Sequence, residues 1–214
     1  MESPIKPLLV PHDFTAVANN ALLHAVKFAK SSGSDIILIN VVKKGEDTQE
    51  PLRKLEEIAS ETYEMHKVET DAVVREGSIF NTIKEFAHEI DAMMAIMGTH
   101  GMKGIQKFTG SWALKVIVGS KVPFIVIQGP PSKTEIFKDV VFPMDYKKEA
   151  KQKVNWALFL AKYFDVKIHI ITPTVKDKGL QRKTKMNCNF AERIFDNHGV
   201  SYDIQNIDSS HLGI

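Results

Sequence analysis

A single cysteine, Cys188, stands among the 214 residues. It has no partner for an internal disulfide, which excludes a disulfide-stapled extracellular scaffold and suits a reducing compartment. With no histidine beside it, the thiol reads as passive. Long apolar runs are missing too, none approaching the roughly 18 residues of a membrane span. The opening MESPIKPLLV lacks a basic stretch and a long apolar core, so no secretory leader is read there. Charge of one sign is also lacking. The formal net charge is +2, and lysines sit among acids, as in Lys147-Lys148-Glu149. That removes the electrostatic case for nucleic acid or a membrane surface. The expectation is a soluble, cytoplasmic protein.

Two nucleotide fingerprints are absent. No G-x-x-x-x-G-K-[ST] occurs, and no G-x-G-x-x-G follows a strand, which argues against P-loop NTPases and nicotinamide dehydrogenases. The histidines, among them His12, His100, His169, His198 and His211, show no metal-ligand spacing, so no metal site is assigned. What is present is an ordinary globular balance, 43% hydrophobic and 25% charged, with enough length for one large domain or two small ones.

Apolar runs alternate with helical patterns along the first 130 residues. Pro7–Pro11, Asp35–Val42, Glu69–Arg75, Asp91–Met97 and Val122–Ile127 read as strands, the last with its proline near the start, where a missing ladder donor costs least. Between them, Ala18, Leu22, Ala25, Val26 and Ala29 recur at helical spacing after Thr15, a residue suited to capping. Pro51 to about Lys67 is helical in composition, and Ile79, Ile83, Phe86, Ala87 and Ile90 form another apolar helix face. Strands apolar on both faces and separated by helices imply a five-stranded parallel sheet sandwiched by helices, a Rossmann-like α/β unit. Such sheets bind ligands outside the carboxyl ends of their strands.

Gly129 to Thr134 is turn and linker chemistry, and after it the pattern begins again. Lys6, Pro11 and Asp13 find Lys138, Pro143 and Asp145 at a constant offset of 132 residues, which holds without a gap through Ala25/Ala157, Ile36/Ile168, His66/His198 and Asp71/Asp203. About sixteen identities fall over Lys6 to Thr82, where ordinary composition gives roughly five. The chain is thus read as a duplication, residues 1–131 and 135–214, whose second copy is partial. That copy stops before any counterpart of the last two strands, so the natural protein is expected to extend past Ile214.

Met97-Gly98-Thr99-His100-Gly101 follows the fourth strand, and Gly110-Ser111 opens the apolar run Ser111–Val118, read as a helix with Ser111 as its cap. A glycine loop leading from a strand's carboxyl end to a helix's amino end exposes N–H groups to phosphate. Asp13, just past the first strand, suits either a ribose hydroxyl or a base amine, or else caps the next helix. Asp13 and Thr15 cannot both be that cap, which leaves one free.

Together, Leu9-Val10-Pro11-His12-Asp13-Phe14-Thr15, the strand ending Asn40-Val41-Val42, and Gly98-x2-Gly101 with Gly110-Ser111 resemble the universal stress protein family. The resemblance spans Pro7 to Ile127 and, more weakly, Lys138 to about Ser210, and suggests a tandem member. It implies an adenine nucleotide alpha hydrolase-like fold that binds ATP or AMP. By position, Asp13 would meet the adenosine end, with Pro11 and Val41 lining the base pocket and Met97 and Gly98 near the ribose. Gly101, Gly110 and Ser111 would hold the phosphates. Two departures stand out from the family pattern G-x2-G-x9-G-[ST]. Met102–Thr109 is one residue short of the nine, and Trp112 sets an indole beside the capping serine. Lys103 and Lys107 could meet phosphate as point charges.

The loop holds no acid to position a water or a metal, so catalysis is not evident. The expected role is a stress-related sensor or regulator. Two alternatives stay open, a nucleotide-free interaction module and a weak ATP-hydrolysing enzyme. The resemblance further implies a homo-oligomer, paired through strand 122–127 or the incomplete second sheet.

Overall fold

Thr15 starts the first helix and Gly33 stops it. The Thr15 side chain accepts from the Ala18 N–H, and Gly33 closes the last turn at φ 74, donating its own N–H to the Ala29 carbonyl. Only a residue without Cβ enters that left-handed conformation freely. The computed structural model describes residues 5–99, 115–132 and 137–207, in two units, Met1–Lys133 and Thr134–Ile214.

In the first unit the chain runs β1 (Leu8–Pro11), α1 (Ala16–Ser32), β2 (Ile36–Val42), α2 (Gln49–His66), β3 (Thr70–Glu76), α3 (Ile79–Glu89), β4 (Met94–Gly98) and β5 (Phe124–Ile127). Residues 115–117 are helical; the expected start of that helix at Ser111 lies outside the described residues. The strands form one parallel sheet in the order β3-β2-β1-β4-β5. Leu9 and Ile39 meet Ile83, Phe86 and Ala87 of α3 on one face. On the other face α1 packs against β1 and β4. Leu8, Leu9 and Val10 are wholly buried, as a central strand covered on both sides requires.

Each strand starts later than expected, three by a single residue and two by more. The strand read from Asp91 begins at Met94, because Asp91 sits in a turn at φ 48, with its carboxylate held by Lys6 at 2.8 Å. The strand read from Val122 begins at Phe124, one residue past Pro123.

The second unit contains β6 (Asp139–Pro143), a 3-10 turn (Lys148–Lys151), α4 (Gln152–Tyr163), β7 (Lys167–Pro173), α5 (Lys178–Asn197) and β8 (Ser201–Ile207). Its three strands are parallel, in the order β6-β7-β8. Element for element this follows β1-α1-β2-α2-β3 at the 132-residue offset. Phe142, Met144, Ile168, Ile170, Ala191 and Phe195 build its core.

Two exchanges give the second unit its own character. Leu55, wholly buried in α2, has buried Asn187 as its counterpart in α5. The Asn187 amide donates to the carbonyls of Asp145 at 2.8 Å and Lys147 at 2.9 Å, tying the turn after β6 to the helix. Ile37 has His169 as its counterpart. That ring lies between Asp139 (2.7 Å) and Asp203 (3.0 Å), so it bridges β6, β7 and β8, while Lys167 pairs with Asp203 at 3.0 Å. The bond to Asp139 first, then the one to Asp203, raises the His169 pKa above its ordinary value.

Candidate functional site

In the first sheet β1 has β2 on one side and β4 on the other, so the chain's winding reverses between β1 and β4. That reversal opens a crevice at the strands' carboxyl ends. The register shows it, since β1 pairs with β4 only at Leu8 and Leu9, before both strands run on. A cavity of about 110 Å³ sits there, lined by Pro11, Asp13, Val41, Met97 and Gly98, with His12, Ala18, Ile39, Asn40, Ile79 and Ile83 completing the wall. Five residues singled out from sequence thus converge on one cavity. Gly101, Gly110, Ser111 and Trp112, with Lys103 and Lys107, lie outside the described residues.

Asp13 and Thr15 share the work at the head of α1. Thr15 is the cap, and Asp13 Oδ1 accepts from the Thr15 hydroxyl at 2.6 Å and from its N–H at 3.2 Å. Neither residue is idle, contrary to the expectation that one would be free. The hydroxyl can serve both neighbours because it donates to one and accepts from the other. Among the described residues Asp13 Oδ2 carries no hydrogen bond, and Asp13 is exposed, so that oxygen is left for a ligand.

His12 was not singled out as a site residue, yet it organises this corner. It is 2% exposed. Its Nδ1 accepts from the Phe14 N–H at 3.3 Å, so the ring proton sits on Nε2, 2.9 Å from Asn19 Oδ1. Its carbonyl accepts from the Asn40 amide at 2.8 Å. Burial pushes its pKa down, only partly opposed by the Asn19 bond and the Asp13 charge, so the ring is neutral. Phe14 takes φ 64 to reach round it. A polar Asn40 inside the apolar run DIILINVV was the sequence signal for this arrangement.

Gly98 has a packing reason of its own. A Cβ built there would lie 2.2 Å from the Val17 carbonyl oxygen, so β4 meets the backbone of α1 directly. The cavity is lined mainly by apolar residues, with Asp13 Oδ2 free of hydrogen bonds among the described residues. Among the described residues no group of three His, Cys, Asp or Glu side chains could hold a metal ion, and no helix is long and apolar enough to cross a membrane.

A parallel sheet with its cavity at the switch point defines an α/β binding unit of the doubly wound kind. Residues 4–128 match the sequence model of the universal stress protein family, and the chain belongs to that family. A universal stress protein of Methanocaldococcus jannaschii is 29% identical over 149 residues, covering 60% of this chain and 85% of its own length. One from Synechocystis is 29% identical over 136 residues, covering 57% and 85%. Among solved structures, a universal stress protein from Archaeoglobus fulgidus shares the fold over 97% of this chain and 80% of its own, with a TM-score of 0.75 at 18% identity.

Proposed function

We propose that the first unit binds an adenine nucleotide, AMP or ATP, and acts as a regulator in the stress response rather than as a catalyst. The observation that carries this reading is the convergence of Pro11, Asp13, Val41, Met97 and Gly98 on one cavity at the switch point. The cavity has room for one flat base, with Pro11 and Val41 on its walls. Asp13 Oδ2 accepts from a ribose hydroxyl or base amine. In this reading the phosphates run toward Gly101, Gly110 and Ser111, with the Trp112 indole beside them. Residues 1–131 are the nucleotide-binding domain and 135–214 a partial copy without the glycine loop. Cytoplasmic residence and self-association, through β5 within strand 122–127 or through the second sheet, complete the reading.

Calorimetric titration of the full chain with AMP and ATP tests it. Saturable binding is expected, with Asp13→Ala weakening it by about 1 kcal/mol or more, the scale of one lost hydrogen bond. No heat at millimolar nucleotide, or an Asp13→Ala protein that binds as the parent does, defeats the assignment.

A further inference from the structure

The second unit holds an open cleft of about 470 Å³ between α5 and the carboxyl ends of β7 and β8. Pro173, Val175, Cys188 and Ile204 supply its apolar lining. Burial, then the charge of Glu192, pushes the Cys188 thiol pKa up, so the sulfur packs as a neutral group. The remaining lining is polar, and its hydrogen-bonding capacity is unevenly spent.

Thr172 donates its hydroxyl to Asn206 Oδ1 at 2.6 Å. The Asn206 amide N–H groups make no hydrogen bond among the described residues. Thr184 is 7% exposed, and its Oγ1 is buried without any hydrogen-bond partner among them. A buried hydroxyl in that state is costly and marks a place where a partner is due. Lys185 and Glu192 line the same cleft, and neither belongs to an ion pair among the described residues. They stand seven residues apart on one helix, about 10.5 Å along its axis at 1.5 Å per residue. One cation, one half-buried anion and neutral polar groups in the same lining give no net field to hold a polyanion. They match a small molecule that carries both charges itself.

We propose that this cleft binds a zwitterionic amino acid with an apolar side chain. The ligand's carboxylate lies toward Lys185, the Asn206 amide and the Thr184 hydroxyl, which donates to it, and its ammonium lies toward Glu192. The side chain rests on Pro173, Cys188 and Ile204. The distance between the two charged residues leaves room for both charge-assisted contacts in line, with the flexible lysine taking up the difference.

The test is amide-resolved NMR of the full chain titrated with L-leucine. Saturable shifts confined to residues around Thr172–Val175, Gln181–Glu192 and Ile204–Asn206 are expected. Glu192→Gln and Lys185→Gln should each weaken binding by about tenfold or more, as loss of a charge-assisted contact does. Thr184→Val keeps shape and removes a hydroxyl that has no partner to lose, so it should leave thermal stability intact while weakening leucine. N-acetyl-L-leucine and L-leucinamide, each lacking one charge, should bind correspondingly worse. The proposal is overturned by no saturable shift at tens of millimolar leucine, by charge-blocked analogues binding equally well, or by an unchanged affinity in a folded Glu192→Gln protein.

Discussion

Gly98 separates two uses that a glycine after a strand can have. If it served only to admit a ligand, adding a methyl group would leave the empty protein's stability untouched. The structure instead places Val17 O 2.2 Å and Val17 C 2.5 Å from the missing Cβ. Backbone cannot step aside as a flexible side chain can. Gly98→Ala is therefore expected to destabilise the ligand-free chain by about 1–3 kcal/mol, the range for overpacking. A urea midpoint that does not move in the variant would return Gly98 to a purely ligand-binding role. The residue scale also marks how far the sequence could be read. Asp13, Val41 and Gly98 were legible at the cavity because strand ends and glycine turns announce themselves by position. The division of labour between Asp13 and Thr15 was not, since a single hydroxyl that donates one way and accepts the other leaves no trace in spacing. Nor was His12, whose tautomer depends on Phe14 and on Asn19, seven residues ahead.

Among the elements, the alternation of apolar strands with capped helices was readable because each signal is local, and strand starts moved where a local event intervened, as at Asp91. The 132-residue offset carried the same reading into the second unit. What it could not carry was chemistry that differs between the two units. In α5, Asn187 stands where α2 has Leu55, and the amide fastens the turn after β6 through the carbonyls of Asp145 and Lys147. An apolar residue there looks conservative by the logic of the first unit, yet it strips the Asp145 carbonyl of its donor and leaves that of Lys147, among the described residues, only the Ala150 N–H at 3.2 Å. Asn187→Leu is expected to cost about 1–3 kcal/mol, the penalty for buried groups left unpaired. Chemical denaturation checks this, and a variant as stable as the parent would mean that water takes over the carbonyls.

At the scale of the whole chain the two units answer acid and base in opposite senses. His12, His24 and His66 have pKa values lowered from 6.5, in each case chiefly by burial. On unfolding they return to that ordinary value and take up protons more readily. The stability they give the first unit is thus present above 6.5 and is lost as pH falls through their lowered native values. His169 works the other way, raised by Asp139 and Asp203. Its contribution is complete below 6.5 and disappears as pH rises through its higher native value. Thermal melts resolved by unit across the neutral range should show the first unit weakening in acid and the second weakening toward base, with His169→Asn flattening the latter. Parallel responses in both units would refute the scheme.

The strand that delivers Pro11, His12 and Asp13 to the cavity is also the one held between β2 and β4, with Leu8, Leu9 and Val10 wholly buried. Regions that open early in a protein's life are those with few buried contacts, and this strand is the reverse. One wall of the cavity is therefore as long-lived as the sheet itself. Fluctuations that loosen loops and termini pass without disturbing it, and it dissolves only in the rare moments when the first unit as a whole comes apart.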